Sequence, residues 1–499
     1  MRRFILRLEN YGPFDNVELD IRPLTILIGK NSVGKSMLLY LLWMISNTYH
    51  GELDLKKLHG ENYVEYISRI DKILNILSLE RFNENDLEEL VSEIILDFIK
   101  SFDSLIEMNF GEIITELYRG RISSLSIRLS KRYNKSVLAV ASLIKRDADE
   151  SIINIKGPRG ELEIFLRRRI AEEEKAVEAS WVEVRVEDIA DNIRVQYDKE
   201  SRKLSVRIGN GKVLETIVID KNDVRSFITN KVIPYTIEYV LGFSPFYEDN
   251  FLIVDGRAGI LRSLSTVFDS LTDNQLHSIN IADREFLKRV RILFSDFFSG
   301  NCDIEEDLLR EIYREFGVVD VFYREEANIK KIYVRLWSGI DQSIEEAPAG
   351  IREVLPLLIS FTSTRLKNIF LEEPETHLHP GAVWVLSKII GYALSKRNLG
   401  IYITTHSDYL VACINVLMKA YNMILEKNKD KIEEHLARIG IQPYTLIDPN
   451  KVSAYLLYRE KESVKIENLV YEDGIDEKHF SDIVTELAVR REYIDLLKE

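Results

Sequence analysis

Cysteine is nearly absent: among 499 residues only Cys302 and Cys413 carry a thiol, far apart and outside any metal-ligand spacing. That excludes a disulfide scaffold and a zinc hook, and it points to a reducing compartment. Glutamine is scarce too, with Gln196, Gln275, Gln342 and Gln442 alone set against 30% charged residues. Few thermolabile amides among many charges is a hyperthermophile pattern, although a biased genome gives a similar result. No run approaches the roughly 18 apolar residues of a membrane span. The opening stretch MRRFILRLENYG has Arg7 and Glu9 inside its apolar part, which spoils a signal peptide. The expectation is a soluble cytoplasmic protein with no membrane partner. Basic excess is lacking as well. A net charge of −14 and a pI near 5.3 exclude coating nucleic acid through bulk charge, while leaving a local basic groove open. The one short basic run, Arg167 to Arg169, is followed by AEEEK and reads as a solvated face.

What is present is a phosphate-binding pattern. Leu24 to Ile28 is an apolar run of strand length, and Gly29 to Ser36 then reads G-x-x-x-x-G-K-S. Met37 to Ser46 is apolar and free of Gly and Pro, as a helix under a sheet requires. Strand, glycine turn and helix is the context the motif needs. Gly29 and Gly34 let the backbone curl, so that the amides of Lys30, Asn31, Ser32 and Val33 face phosphate oxygens. The helix adds its positive end, Lys35 reaches the terminal phosphates, and the Ser36 hydroxyl suits Mg²⁺.

A phosphate loop needs a distant carboxylate for the metal and a group to position the attacking water. Ile369 to Leu371 forms a short apolar strand with Glu372 and Glu373 at its carboxyl end, where open α/β sheets place ligands. A helix begins at Pro380, and another buried strand, Ile401 to Thr404, leads to His406. Glu372 is expected in the Mg²⁺ shell. Glu373 is expected to orient or deprotonate the attacking water, and His406 to hydrogen-bond the terminal phosphate.

Together, GKNSVGKS, FLEEPETHLHP and ITTHS resemble the ABC-type ATPases of the SMC, RecF and OLD superfamily. The nearest likeness is to AAA-labelled members that read E-E-P-E-x-H-L-H-P. The resemblance implies a catalytic glutamate at Glu373, a switch histidine at His406, ATP and Mg²⁺ as cofactors, and a homodimer or higher homo-oligomer with ATP between subunits. It also implies a signature segment contacting phosphate of a second subunit. That segment matches EEAPAGIREVLPLLI, with Ala349 where serine is usual and Gly350 as the signature glycine. Arg352, just inside that helix, and Arg257, in VDGRAGIL, are candidate phosphate contacts. No Q-loop glutamine is found, Gln196 reading as a strand residue.

The expected fold is therefore α/β, a P-loop NTPase of ABC-ATPase head type with an antiparallel β subdomain and helical insertions. Residues 1–50 would carry the phosphate loop and 51–122 a helical insertion capped near Asn85. Residues 123–270 would form the β subdomain and the return to the head. Residues 271–325 would add a second helical insertion, whose helix starts at Asp283. The signature, Glu pair and His406 fall in 326–425, and an α/β tail in 426–499. Alternation in SLSIRL, ELEIFLRR, WVEVRVE, NIRVQYD and KLSVRIGNGKVLETIVI, with Asn210-Gly211 as a hairpin turn, carries the β assignment. Neither helical block sustains the heptads of long coiled-coil arms. The tail is too short for the Toprim nuclease domain of OLD proteins, so no nuclease activity is expected in this chain. The leading reading is an ATP hydrolase serving DNA repair or anti-viral defence with a separate effector, such as a nuclease. The alternatives are a nucleotide-gated binding module with little turnover and a RecF-like DNA-loading ATPase.

Overall fold

The computed structural model describes residues 3–50, 63–77, 83–100, 102–118, 140, 143–145, 148–170, 177–187, 193–218, 220–264, 279–326, 329–426, 429–471 and 474–477. The chain divides into two compact units, one of Met1–Ile21, Tyr40–Asn250 and Arg459–Lys465, the other of Arg22–Leu39, Phe251–Tyr458 and Ile466–Glu499.

The first unit is built on antiparallel strands in the order Phe14–Ile21, Phe4–Tyr11, Glu150–Lys156, Glu161–Ile170, Val177–Glu187. Burial alternates along Phe4–Tyr11, where Phe4, Leu6 and Leu8 are buried against Ile5 and Arg7, so one face of that strand meets the core and the other meets water. A second sheet of Ile193–Asp198, Lys203–Ile208 and Val213–Ile217 turns at Gly209, whose φ is +53°. Gln196 is an exposed member of that sheet, opposite Ser205. SLSIRL lies outside the described residues. Helices Tyr63–Leu77, Glu84–Lys100 and Phe102–Tyr118 pack here, and the bidentate pair Arg225–Asp71 ties Lys221–Phe227 to the first of them. The cap of Glu84–Lys100 is Asn83 rather than Asn85: its side-chain oxygen accepts the Asn85 amide at 3.1 Å. Arg167 pairs with Glu150 at 3.0 Å.

The second unit holds strands in the order Asn250–Ile253, Asn368–Glu372, Gly400–Thr405, Leu24–Gly29, Val452–Glu460, the last four of them parallel. Leu24–Gly29 and Gly400–Thr405 are buried throughout, as expected of strands covered on both faces, and this is why they read as largely apolar stretches without alternation. Register sets their ends flush: Glu372 is opposite Thr404, Thr405 opposite Ile28, and Leu457 opposite Gly29. Pro380–Ser395 starts with proline in its first turn, capped by His379. Ile281–Phe298 is capped by Asn280, not begun by Asp283, which instead places its carboxyl in the first turn. Among the described residues one helix, Asp408–Glu426, is long and apolar enough to cross a membrane, with mean hydropathy 1.2. It packs on Pro380–Ser395 and Lys429–Arg438 within this unit. A three-stranded sheet of Val318–Glu326, Ile329–Leu336 and Asp341–Ser343 precedes the helix Ala349–Thr362.

Candidate nucleotide site

The phosphate loop leaves Leu24–Gly29 through three residues of positive φ or wide-open backbone: Gly29 at +154°, Ser32 at +64° and Gly34 at +95°. A Cβ on Gly29 would come within 2.4 Å of the Leu457 carbonyl, so glycine is needed there for close approach of the neighbouring strand. Lys30, Asn31 and Ser32 are exposed, while Val33 is buried and anchors the loop. Lys35 is 5% exposed, and its ammonium donates to the carbonyls of Gly29 at 2.7 Å and Lys30 at 3.0 Å. Burial pushes it below its ordinary range, and the carboxylates of Glu373, Glu375 and Glu372 oppose that shift. Ser36 follows, half-buried, in the first turn of Lys35–Ser46.

Glu372 ends its strand half-buried, and one carboxylate oxygen accepts the Asp255 amide at 3.3 Å. Burial, with the charge of Glu372 adding to it, holds the Asp283 carboxyl above its ordinary range. Glu373 has φ +43°, a left-handed conformation that costs a non-glycine residue about 1–3 kcal/mol. Its amide donates to the Thr404 carbonyl at 3.0 Å, and its carboxylate lies 3.2 Å from His406 Nδ1. His406 is 54% exposed at its side chain against 21% for Glu373, so the pair opens to solvent.

Sequence reasoning assigned no role to Glu375, two positions on. It is buried, accepts a hydrogen bond from the Thr405 hydroxyl, and has a second carboxylate oxygen buried without a partner. Burial raises its pKa despite that hydrogen bond. Thr405 also accepts the Ser407 amide at 2.9 Å, so Glu375 braces the turn that carries His406. The one sequence signal was its place within E-E-P-E; its burial was not legible.

Ala349 and Gly350 open the helix Ala349–Thr362, with Ala349 exposed and no side chain capping the end. A Cβ on Gly350 would meet nothing within 4 Å. The two arginines expected at phosphate are committed elsewhere. Arg257 is fully buried against Glu353 and donates to main-chain carbonyls, which corrects the phosphate contact. Arg352 donates to the carbonyls of Ala258 at 3.1 Å and Glu345 at 3.2 Å, and to that of Ala347, stapling the loop before its own helix.

These elements define a P-loop ATPase head of ABC type: a phosphate loop, a carboxylate pair and a histidine at adjacent ends of parallel strands. Residues 5–253 match the family described as AAA ATPase domain, and the chain belongs to that family. It is consistent with the SMC-, RecF- and OLD-like ATPases that its motifs resemble. The Old nuclease of Escherichia phage P2 is 27% identical over 199 residues, which cover 38% of this chain and 33% of that protein, so the match spans about a third of the relative's length. Among solved structures, the SMC head bound to the C-winged helix domain of ScpA is 12% identical, covering 95% of this chain and 98% of its own, at a TM-score of 0.35. The SMC head domain from Thermotoga maritima is 10% identical, covering 94% and 99%, at 0.33.

Proposed function

We propose that the protein hydrolyses ATP in a Mg²⁺-dependent reaction, with Glu373 as the carboxylate that orients and deprotonates the attacking water. The observation that carries this reading is the convergence of Glu373, His406 and Lys35. A carboxylate held 3.2 Å from a histidine lies in the field of a buried phosphate-loop lysine. A general base of this kind contributes about 10²–10⁴ in rate. The amides of residues 30–36 hold the phosphates, Lys35 leaves its own loop carbonyls to pair with them, and His406 donates to the terminal phosphate. The donor set fits the metal. Among the described residues no group of three or more acidic, His or Cys side chains is arranged to hold an ion alone. Mg²⁺ bound with ATP needs only one or two protein oxygens, which Ser36 and Glu372 supply. When bound, the ion neutralises phosphate charge.

The exposed, uncapped start of Ala349–Thr362 supports ATP held between two copies, since a helix N-terminus is an anion site and Gly350 leaves room for one. Output is then conformational and the location cytoplasmic. The relative's name, a nuclease, supports service in DNA repair or anti-viral defence, with cutting assigned to a separate effector. One observation favours a second reading, a nucleotide-gated module with little turnover: Ala349 lacks the hydroxyl usual before the signature glycine. The test is equilibrium binding of MgATP together with phosphate release by wild type and Lys35→Ala. Loss of both in the variant supports the site; binding that survives without Lys35 contradicts it.

A further inference from the structure

Arg257 and Glu353 are both 0% exposed at their side chains. Such a pair adds little net stability, because both ions lose their hydration. Its use lies in where the remaining guanidinium N–H groups go. Nη1 donates to the carbonyl of Glu372 at 3.3 Å, and Nη2 to that of Pro374 at 2.9 Å. Those two carbonyls bracket Glu373, the residue held at φ +43°. A strained residue persists only where its surroundings over-determine it, and here Arg257 holds the carbonyl of the residue before Glu373 and that of the residue after it, while the Thr404 carbonyl holds the Glu373 amide. On its far side Arg257 is gripped by Glu353, with Nε 2.8 Å from the carboxylate and 3.2 Å from the main-chain oxygen. Glu353 lies early in Ala349–Thr362, one turn beyond Gly350. Its other carboxylate oxygen is 3.1 Å from Nδ1 of His377, itself at φ +61°. One buried carboxylate thus ties the start of that helix to both halves of the Glu373 turn.

The geometry points to Arg257 and Glu353 as a positioning pair that holds Glu373 in its working conformation and makes that conformation depend on the Ala349–Thr362 helix. This rests on the hydrolase reading and adds a regulation of the same site. Neither residue need touch the nucleotide. An anion seated at Gly350 draws on the helix, the helix moves Glu353, and Arg257 passes the displacement to the carbonyls of 372 and 374.

Two variants separate positioning from stability. Glu353→Gln leaves the guanidinium buried and unpaired. Arg257→Met combined with Glu353→Leu replaces the pair by apolar side chains, a change that buried ion pairs tolerate in stability. Each is assayed for melting temperature, MgATP affinity, turnover, and hydrogen exchange of the 373–378 amides against those of 24–36. The double variant is expected to melt like wild type and to bind MgATP unchanged. It should lose roughly tenfold to hundredfold in turnover, the cost of misplacing a reacting group, with faster exchange confined to 373–378. Should the double variant not fold, Glu353→Gln is read by the same localised pattern. Wild-type turnover and exchange in the double variant overturn the inference, as does a loss shared by MgATP affinity and exchange throughout. A wild type that hydrolyses no ATP removes the hydrolase reading, while the exchange comparison still decides whether the pair clamps the turn.

Discussion

Glu375 is a carboxyl whose burial favours its proton. Burial raises its pKa above the ordinary 4.5, with the Thr405 hydroxyl opposing. A raised folded value means the folded state binds the proton more tightly than the unfolded chain does. That stability is fully present below the unfolded pKa and is lost as pH rises through the folded one. Glu375→Gln keeps an acceptor for Thr405 and removes the ionisation. Its melting temperature should match wild type near pH 4 and exceed it at neutral pH, by roughly 2–4 °C for each kcal/mol recovered. Melts across that range check this, and parallel curves contradict it. At this scale the sequence was partly legible. Lys35, Glu373 and His406 sit in short patterns whose spacing carries chemistry. Arg257 misled because burial is a property of the fold: VDGRAGIL gives no sign that its arginine faces a carboxylate 96 positions away.

The helix Ala349–Thr362 has an N-terminus that the described residues leave open. No side chain caps it, and a methyl on Gly350 would touch nothing. Gly350→Ala should therefore stabilise the protein by about 0.5–1 kcal/mol, since alanine is the better helix former. If a second copy brings phosphate to this end, the same methyl should lower turnover at least about tenfold, given how steeply misplacement cuts rates. Melting and phosphate release measured together decide it, and a stabilised variant with full turnover contradicts the role of this end. Elements were the most readable level. Leu24–Gly29, Asn368–Glu372 and Gly400–Thr405 are buried along nearly their whole length, with apolar stretches that do not alternate, because parallel strands are covered on both faces. Helix starts were less so. Asn83 and Asn280 take the caps because capping is decided by which side chain reaches the free amides, and Asn85 and Asp283 compete in sequence for the same role.

Across the whole chain, the phosphate loop and the Glu pair lie more than 300 positions apart, yet their strands flank the one that ends at His406. That order is not written in any local pattern. It follows from the rule that ligands gather at the carboxyl ends of parallel strands, and the register confirms how closely those ends align. The family match ends at residue 253, before the Glu pair and His406, so these two rest on geometry and motif. A net charge of −14 leaves interaction with nucleic acid to local surface rather than bulk attraction. The most direct test is steady-state phosphate release from MgATP by wild type and by Glu373→Gln, at moderate and high temperature, with MgATP affinity measured on both. The account predicts unchanged affinity and a loss of about 10²–10⁴ in turnover; equal turnover in the two proteins, or equal inertness, would contradict Glu373 as the catalytic carboxylate.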